Sequence, residues 1–203
     1  MKSVVVSGIS CLLLLAATPT FAGHGFISAF GNITWLPEPG RTPDSSWYRL
    51  DEWQEEGQLL LARGTEAKTR LCLTFAREKL AEVEAMVKAE NVPAAEIAAG
   101  QYRTYIDRAQ HLIAAETEPA TREALAEMMA TALLEHQYIL SVIYEELPAA
   151  TRPIVPQVIT VAQEHYQNIT KLLPPKKKGA LFFKEEEVRW SVEMATRAEE
   201  RNP

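Results

Sequence analysis

Two histidines in the second half of the chain have the residue type and placement expected of a metal or pH sensor. His136 and His165 each lie on the apolar stripe of a predicted helix, and the midpoint of their numbers falls in the turn between the two helices. A hairpin that pivots there brings the imidazoles to one level. A pivot at residues 147–148 leaves His165 about 10 Å away along its helix. The favoured interpretation is two hydrogen-bonded core histidines. Because imidazole ligates metals and titrates near neutral pH, a metal- or pH-sensing site is the alternative.

A metal site needs further ligands, and counting back through the predicted hairpins brings four candidates to the same level: Tyr102, Tyr105, Glu78 and Glu82. The Glu-x-x-His spacing of di-iron bundles is absent from the sequence. Neither a serine-nucleophile motif nor a glycine-rich phosphate loop occurs. We therefore expect a protein that is not an enzyme and that needs no cofactor, with a hydrolase as the distant alternative.

The last segment carries large apolar side chains that suit partner binding. Phe182, Phe183 and Trp190 follow the run Lys176–Lys178, and Phe183 and Trp190 are two helical turns apart on one face. The acidic residues 185–187 disfavour more than weak binding to an anionic membrane surface. We expect this helix to dock on its own bundle and to be the candidate partner-binding element.

The N-terminus has the pattern of a secretory leader. Lys2 precedes an apolar run of 14 residues, Val4–Ala17, and small residues stand at the two positions that a signal peptidase reads in Thr20-Phe21-Ala22. The run is short of the ~20 residues that span a bilayer, so cleavage after Ala22 is favoured over an uncleaved anchor. The expected location is periplasmic or extracellular. Cys72 would then be the only cysteine of the mature chain, which excludes an internal disulfide.

The charge of the chain after Ala22 argues against two classes of binding partner. The remaining 181 residues carry 20 Lys and Arg against 27 Asp and Glu. This acidic balance argues against nucleic acid and against general adhesion to anionic lipid. An envelope protein is the expected kind of partner.

Helical periodicity dominates the rest of the chain and predicts an all-α, up-and-down antiparallel bundle of about five helices plus a C-terminal helix. The predicted organisation is a leader (1–22), an extended arm (23–42) tacked down by Phe26, Phe30 and Trp35, the bundle (43–173), and a tether with a last helix (174–203) that starts near residue 181. The first helix should begin after a cap at Asp44 or Ser45. Its predicted inward residues are Trp47, Leu50, Trp53 and Leu60 or Leu61. The later stripes include Cys72, Phe75, Leu80, Val83, Val87, Ile97, Tyr105, Met129, Leu140, Val158 and Leu172.

Three segments resemble a secreted bacterial and archaeal helical family that is known only as a domain of unknown function. Residues 43–50 are similar to its opening Pro-Asp-Ser-Pro-x-Tyr-x-Leu, residues 76–82 to its Ala-x-x-Arg-Leu-x-Glu, and residues 151–154 to the start of its last helix. Ser46 and Lys79 depart from the family pattern, which has Pro and Arg there. The resemblance covers residues 43–173; it implies a helical, exported domain and no activity.

These observations predict an exported, non-catalytic helical interaction or structural module of the cell envelope. The alternative is a periplasmic metal- or stress-sensing module that uses His136 and His165.

Overall fold

The computed structural model describes residues 28–31, 33 and 35–201, and in this part of the chain it contains α-helices and no strand. The helices are α1 (Tyr48–Leu61), α2 (Thr65–Lys88), α3 (Val92–Ala115), α4 (Pro119–Ile143), α5 (Ile154–Ile169) and α6 (Pro175–Arg201). Short 3-10 turns follow α4 and α5. The predicted all-α bundle is confirmed. The predicted leader and Phe26 lie outside the described residues.

Local chemistry sets where the helices begin. Asn91 caps α3 by accepting a hydrogen bond from the amide of Ala94, and the Glu118 carboxylate accepts from the first amides of α4. A proline stands within the first two positions of each, where its missing N–H costs nothing. The start of α1 differs from the prediction: residues 43–47 form turns, and the helix begins at Tyr48 with no side-chain cap.

The core lies among α2, α3, α4 and α5, with α2 and α3 forming the most extensive helix pair. The predicted stripes of α2 and α4 are buried, as is that of α5 up to Ile169. Two predicted core residues are wrong, because Ile97 and Leu172 are 49% and 42% exposed. Ile97 lies on the outward face of α3, since Ala95 and Ala98 beside it are fully buried. Leu172 lies in the 3-10 turn after α5, where the α-helical period no longer applies and Leu173 is buried instead.

Helix α1 is rotated about its own axis relative to the prediction, so that the opposite face points toward the bundle. Its five predicted inward residues are all exposed, from 47% to 82%: Trp47, Leu50, Trp53, Leu60 and Leu61. Tyr48 and Glu55, on the other side, are its buried residues. The reason is polar: the acidic side of α1 forms ion pairs and hydrogen bonds with α2 and α3 that its apolar side could not form.

Helix α6 begins at Pro175, so the lysine run is its first turn and not a tether. Lys177 forms ion pairs with Glu123 and Glu127 of α4, with Nζ to carboxylate oxygen distances of 3.4 and 2.5 Å. Further along, α6 packs on the bundle through Leu181, Val188 and Ala195, which recur every seven residues and are buried.

The arm before α1 crosses the bundle surface. Phe30 is buried and stacks on Tyr138 with ring centroids 4.8 Å apart, and the Ala29 amide donates to Glu187 at 2.6 Å. Trp35 is 51% exposed, but its carbonyl accepts a hydrogen bond from Arg77 at 3.0 Å. The arm is therefore held by Phe30 as predicted, and at Trp35 by the backbone and not by the ring.

Candidate functional site

A cluster of ionisable side chains is buried between α1, α2 and α3. We call it the polar cluster and define it by Tyr48, Glu55, Lys79, Glu82 and Tyr105. The Lys79 side chain is fully buried, and its Nζ lies 2.9 Å from Glu55 Oε1 and 2.8 Å from Glu82 Oε1. The Tyr105 hydroxyl donates to Glu55 Oε2 at 2.5 Å. A single buried ammonium group therefore joins α2 to α1, and α3 joins through the same Glu55.

Aromatic faces close the cluster. Lys79 Nζ lies 5.0 Å from the centroid of the Tyr48 ring, within the range of a cation–π contact. Among the described residues, two buried oxygens of the cluster have no hydrogen-bond partner, Tyr48 Oη and Glu82 Oε2. The cluster is thus well paired around the lysine and less well paired on its Tyr48 side.

Burial and pairing act in opposite directions on these groups. Burial alone would lower the pKa of Lys79, but the hydrogen bonds that its ammonium group donates to Glu82 and Glu55 outweigh burial, and the pKa is raised. Burial raises the pKa of Glu82 against the opposing effect of Lys79. Lys79 therefore stays protonated and has no lone pair for nucleophilic attack. Its chemistry here is that of a fixed cation that holds two carboxylates.

A cavity of about 340 Å³ adjoins the cluster between the arm, α1 and α2. Its lining includes Glu55, Glu82 and Glu78. Burial, then repulsion from Glu55, raises the pKa of Glu78. Among the described residues no group of three or more His, Cys, Asp or Glu side chains is arranged to hold a metal ion. The cavity is thus a partly buried acidic recess beside a structural ion pair.

The segments that carry the family resemblance meet at this cluster and just beyond it. Tyr48 belongs to the first segment, and Lys79 and Glu82 to the second. In the third, the Thr151 hydroxyl donates to the carbonyl of Val87 at 2.8 Å and so ties the start of α5 to the end of α2. Arg152 donates to the Leu147 carbonyl. These residues position helices.

From the sequence, Tyr105 was predicted as a stripe residue and, with Glu82, as a possible ligand near His136, whereas no functional role was predicted for Lys79. One signal was available. Lys79 falls on the apolar stripe of α2, three residues after the buried Ala76 and four before Val83. A lysine is almost never fully buried unless it is paired, so its place in the stripe pointed to a buried ion pair.

His136 lies in the core, where burial lowers its pKa to about 3. Its Nδ1 is 3.2 Å from the hydroxyl oxygen of Tyr102, one of the four neighbours predicted from the sequence. The neutral pair forms one hydrogen bond, whose direction follows the imidazole tautomer.

His165 has different partners from His136. Its Nδ1 lies 2.8 Å from Gln110 Oε1 and its Nε2 lies 3.2 Å from Asp107 Oδ1. Burial lowers its pKa against the opposing effect of Asp107. Both ring nitrogens face oxygen acceptors, and a neutral ring donates to one of them, according to its tautomer. Tyr102 and Gln110 are about 12 Å apart along α3. The two histidines therefore bind α3 at separate levels.

The three aromatic residues of α6 remain on the surface. Phe182, Phe183 and Trp190 are 52%, 73% and 62% exposed. Phe183 and Trp190 line a groove of about 710 Å³, together with Tyr138 and the start of the arm at Ser28 and Ala29. The expected self-docking of the helix is observed, but a different face of α6 provides it.

Comparison with known families gives one assignment: the family described as domain of unknown function DUF5667 matches residues 40–178. Comparison with curated proteins and with solved structures gives no match.

Removing the charge of Lys79 should test the cluster. In Lys79→Met the buried Glu55 and Glu82 lose their cation, and the free energy of unfolding at pH 7 should fall by about 3–5 kcal/mol. The loss should shrink at pH 5, because the unpaired carboxyls can then bind protons. Urea denaturation at both pH values measures this. The control is Lys88→Met, since Lys88 forms a half-exposed pair with Glu84 and should contribute less than about 1 kcal/mol. Equal losses in both variants would contradict the role given to Lys79.

Neutral burial of His136 should make the fold sensitive to acid. The folded pKa of about 3 is below the ordinary value of about 6.5, so the unfolded chain binds the proton first as the pH falls. This group's stabilisation is complete above pH 6.5 and should be reduced by about 2 kcal/mol at pH 5. We expect His136→Gln to lack this part of the change in unfolding free energy between pH 7.5 and 5, measured with urea. The exposed His111 provides the control His111→Gln, which should retain the parent's pH dependence; identical pH dependence in all three proteins would refute the prediction.

Proposed function

The chain belongs to the DUF5667 family, and we propose that it is an exported, non-catalytic interaction module of the cell envelope. Support for export comes from the leader-like sequence of residues 1–22. None of the helices in the described part of the chain is long and apolar enough to cross a bilayer. The proposed mature chain begins at Gly23, five residues before Ser28, which lines the groove on α6.

The interaction role is inferred from the two faces of α6, of which one is buried on the bundle and the other is exposed. One face docks on the bundle through Leu181, Val188 and Ala195, and the other leaves Phe183 and Trp190 in solvent beside the groove. Aromatic side chains dominate the energetics of protein interfaces and bury about 150–250 Å² each. The proposed partner is an envelope protein that inserts an apolar side chain between these two rings.

Several features support a non-catalytic role over the hydrolase alternative. Burial raises the pKa of Cys72 to about 11, which leaves it without thiolate character. The Ser141 hydroxyl donates its hydrogen bond to the carbonyl of Tyr138 on its own helix, and not to a general base. Lys79 is held protonated by two carboxylates.

The sensing alternative rests on His136 and His165, which are both buried with lowered pKa values. Because their pKa values are lowered, these histidines become protonated at a lower pH than exposed histidines do. The form of sensing that they support is therefore a response to acid. Its metal-binding form would require ligands that the described residues do not bring together. It stays a prediction.

A photo-crosslinking amino acid placed on α6 tests the proposed function in cells. Placed at Trp190, it should give one discrete adduct in the envelope fraction, with the crosslink mapped to an apolar segment of the partner. The adduct should disappear when Phe183→Ser is added, because this change removes one wall of the groove. The same label at the exposed Lys178 is the matched control and should give no adduct.

N-terminal sequencing of the recovered protein separates export from binding. A start at Gly23 with the Trp190 adduct is the expected result. A protein that retains Met1 would overturn the proposed cleavage, and equal adducts from Trp190 and Lys178 would overturn the proposed partner surface.

A further inference from the structure

The outward side of α1 carries a regular apolar seam. Leu50, Trp53, Gly57 and Leu60 follow one another at spacings of three, four and three residues, the a/d spacing of a coiled coil. The three side chains of this seam are 47%, 73% and 82% exposed. Trp47 and Leu61 flank the seam and are 67% and 82% exposed. Among the described residues, nothing covers this helix-packing surface.

The opposite side of α1 fixes that orientation. Glu55 pairs with Lys79 and accepts from Tyr105, Glu56 pairs with Arg108, and Gln101 donates to Glu52 at 2.7 Å. Rolling α1 to bury the seam would break these contacts and expose a buried ion pair. The seam is available for an intermolecular contact without any rearrangement of the bundle.

The area of this surface suits a specific dimer. Taking about 250 Å² for a fully exposed tryptophan and about 180 Å² for a fully exposed leucine, the five exposed side chains present roughly 700 Å². A standard stable interface buries about 800 Å² per partner. Burial of this whole surface, together with a polar rim, would bring the contact close to that size.

The seam is complementary to itself when a second copy runs antiparallel. In the register where residue numbers of facing positions add to 110, Trp53 faces Gly57 of the second copy and Leu50 faces Leu60. Trp47 then lies within about 3 Å, along the axis, of the level of Leu61 of the second copy. Both copies make the same contacts, as two-fold symmetry requires.

Gly57 leaves room on the surface of α1 for a side chain of a second copy. A Cβ atom added there would meet nothing within 4 Å in a single copy. The residue lies inside a helix, where glycine is less favourable than alanine by about 1 kcal/mol, and no contact within the described chain requires it. An indole ring from a second copy would occupy the open space above it.

We propose that the protein forms a two-fold symmetric dimer through antiparallel packing of α1 on α1, with each Trp53 seated over Gly57 of the other copy. A lipid surface fits less well. Helix α1 has four acidic residues and one basic residue, whereas helices that lie on membranes are rich in Lys and Arg. The dimer is independent of the partner proposed for α6.

Sedimentation equilibrium of the chain from Gly23 onward tests the proposal over a wide concentration range. The parent should be a dimer at about 100 μM. Trp53→Glu should raise the dissociation constant at least about 100-fold, as expected for a central aromatic in an interface. The matched control is Phe183→Glu, because Phe183 has the same 73% exposure as Trp53, and it should leave the dimer unchanged.

A second variant keeps the test decisive if Trp53→Glu disturbs the fold. Gly57→Phe fills open space in a single copy and should keep the parent's circular dichroism while dissociating the dimer. A parent that is monomeric at 100 μM would overturn the proposal, whether or not it then binds neutral lipid vesicles. Dissociation by Phe183→Glu to the same degree as by Trp53→Glu would also overturn it.

Cysteine crosslinking tests the register. Leu50→Cys or Leu60→Cys alone should not crosslink, because the two copies of each position lie about 15 Å apart along the axis, beyond disulfide reach. An equal mixture of the two variants should form a crosslinked dimer on oxidation. Cys72 is buried and should not interfere. Efficient crosslinking of Leu50→Cys with itself would overturn the antiparallel register.

Discussion

The orientation of α1 on the bundle is set by one contact, the buried ammonium group of Lys79 between the carboxylates of Glu55 and Glu82. Three buried charges are stable in a core only when they stay paired, because an isolated ion pays a large desolvation cost. Moving Glu55 away would leave the buried Lys79 with one carboxylate, Glu82, in place of two. This requirement fixes the rotation of α1, and Tyr105 extends the constraint to α3.

Once α1 is fixed by its polar side, its apolar side has to face outward. An amphipathic helix usually buries its apolar stripe. Helix α1 buries its acidic stripe instead, because that stripe forms ion pairs and hydrogen bonds with α2 and α3. The bundle of α2 to α5 supplies its own core without α1. Helix α1 thus acts as a surface element held in a defined orientation, and α6 has the same character on the other side, with an exposed aromatic face.

Much of the fold could be predicted from periodicity, and the exceptions have physical causes. The stripes of α2 and α4 follow from apolar spacing because these helices pack on several neighbours. For α1 the same spacing gave the wrong side, since periodicity locates an apolar face but does not say what covers it. Lys79 within a buried stripe was the available clue to the ion pair. The separate levels of His136 and His165 depend on hairpin geometry and could not be read from residue numbers.

Helix α1 presents Trp53 to water because Glu55 is held in the core. The most direct measurement is the fluorescence of a chain in which Trp53 is the only tryptophan, with Trp35, Trp47 and Trp190 each replaced by Phe, diluted until light scattering gives the mass of one copy. We expect emission close to that of tryptophan in water and quenching by acrylamide nearly as efficient as for the free amino acid. Blue-shifted emission that resists quenching in the single copy would place Trp53 in the core and overturn this orientation of α1.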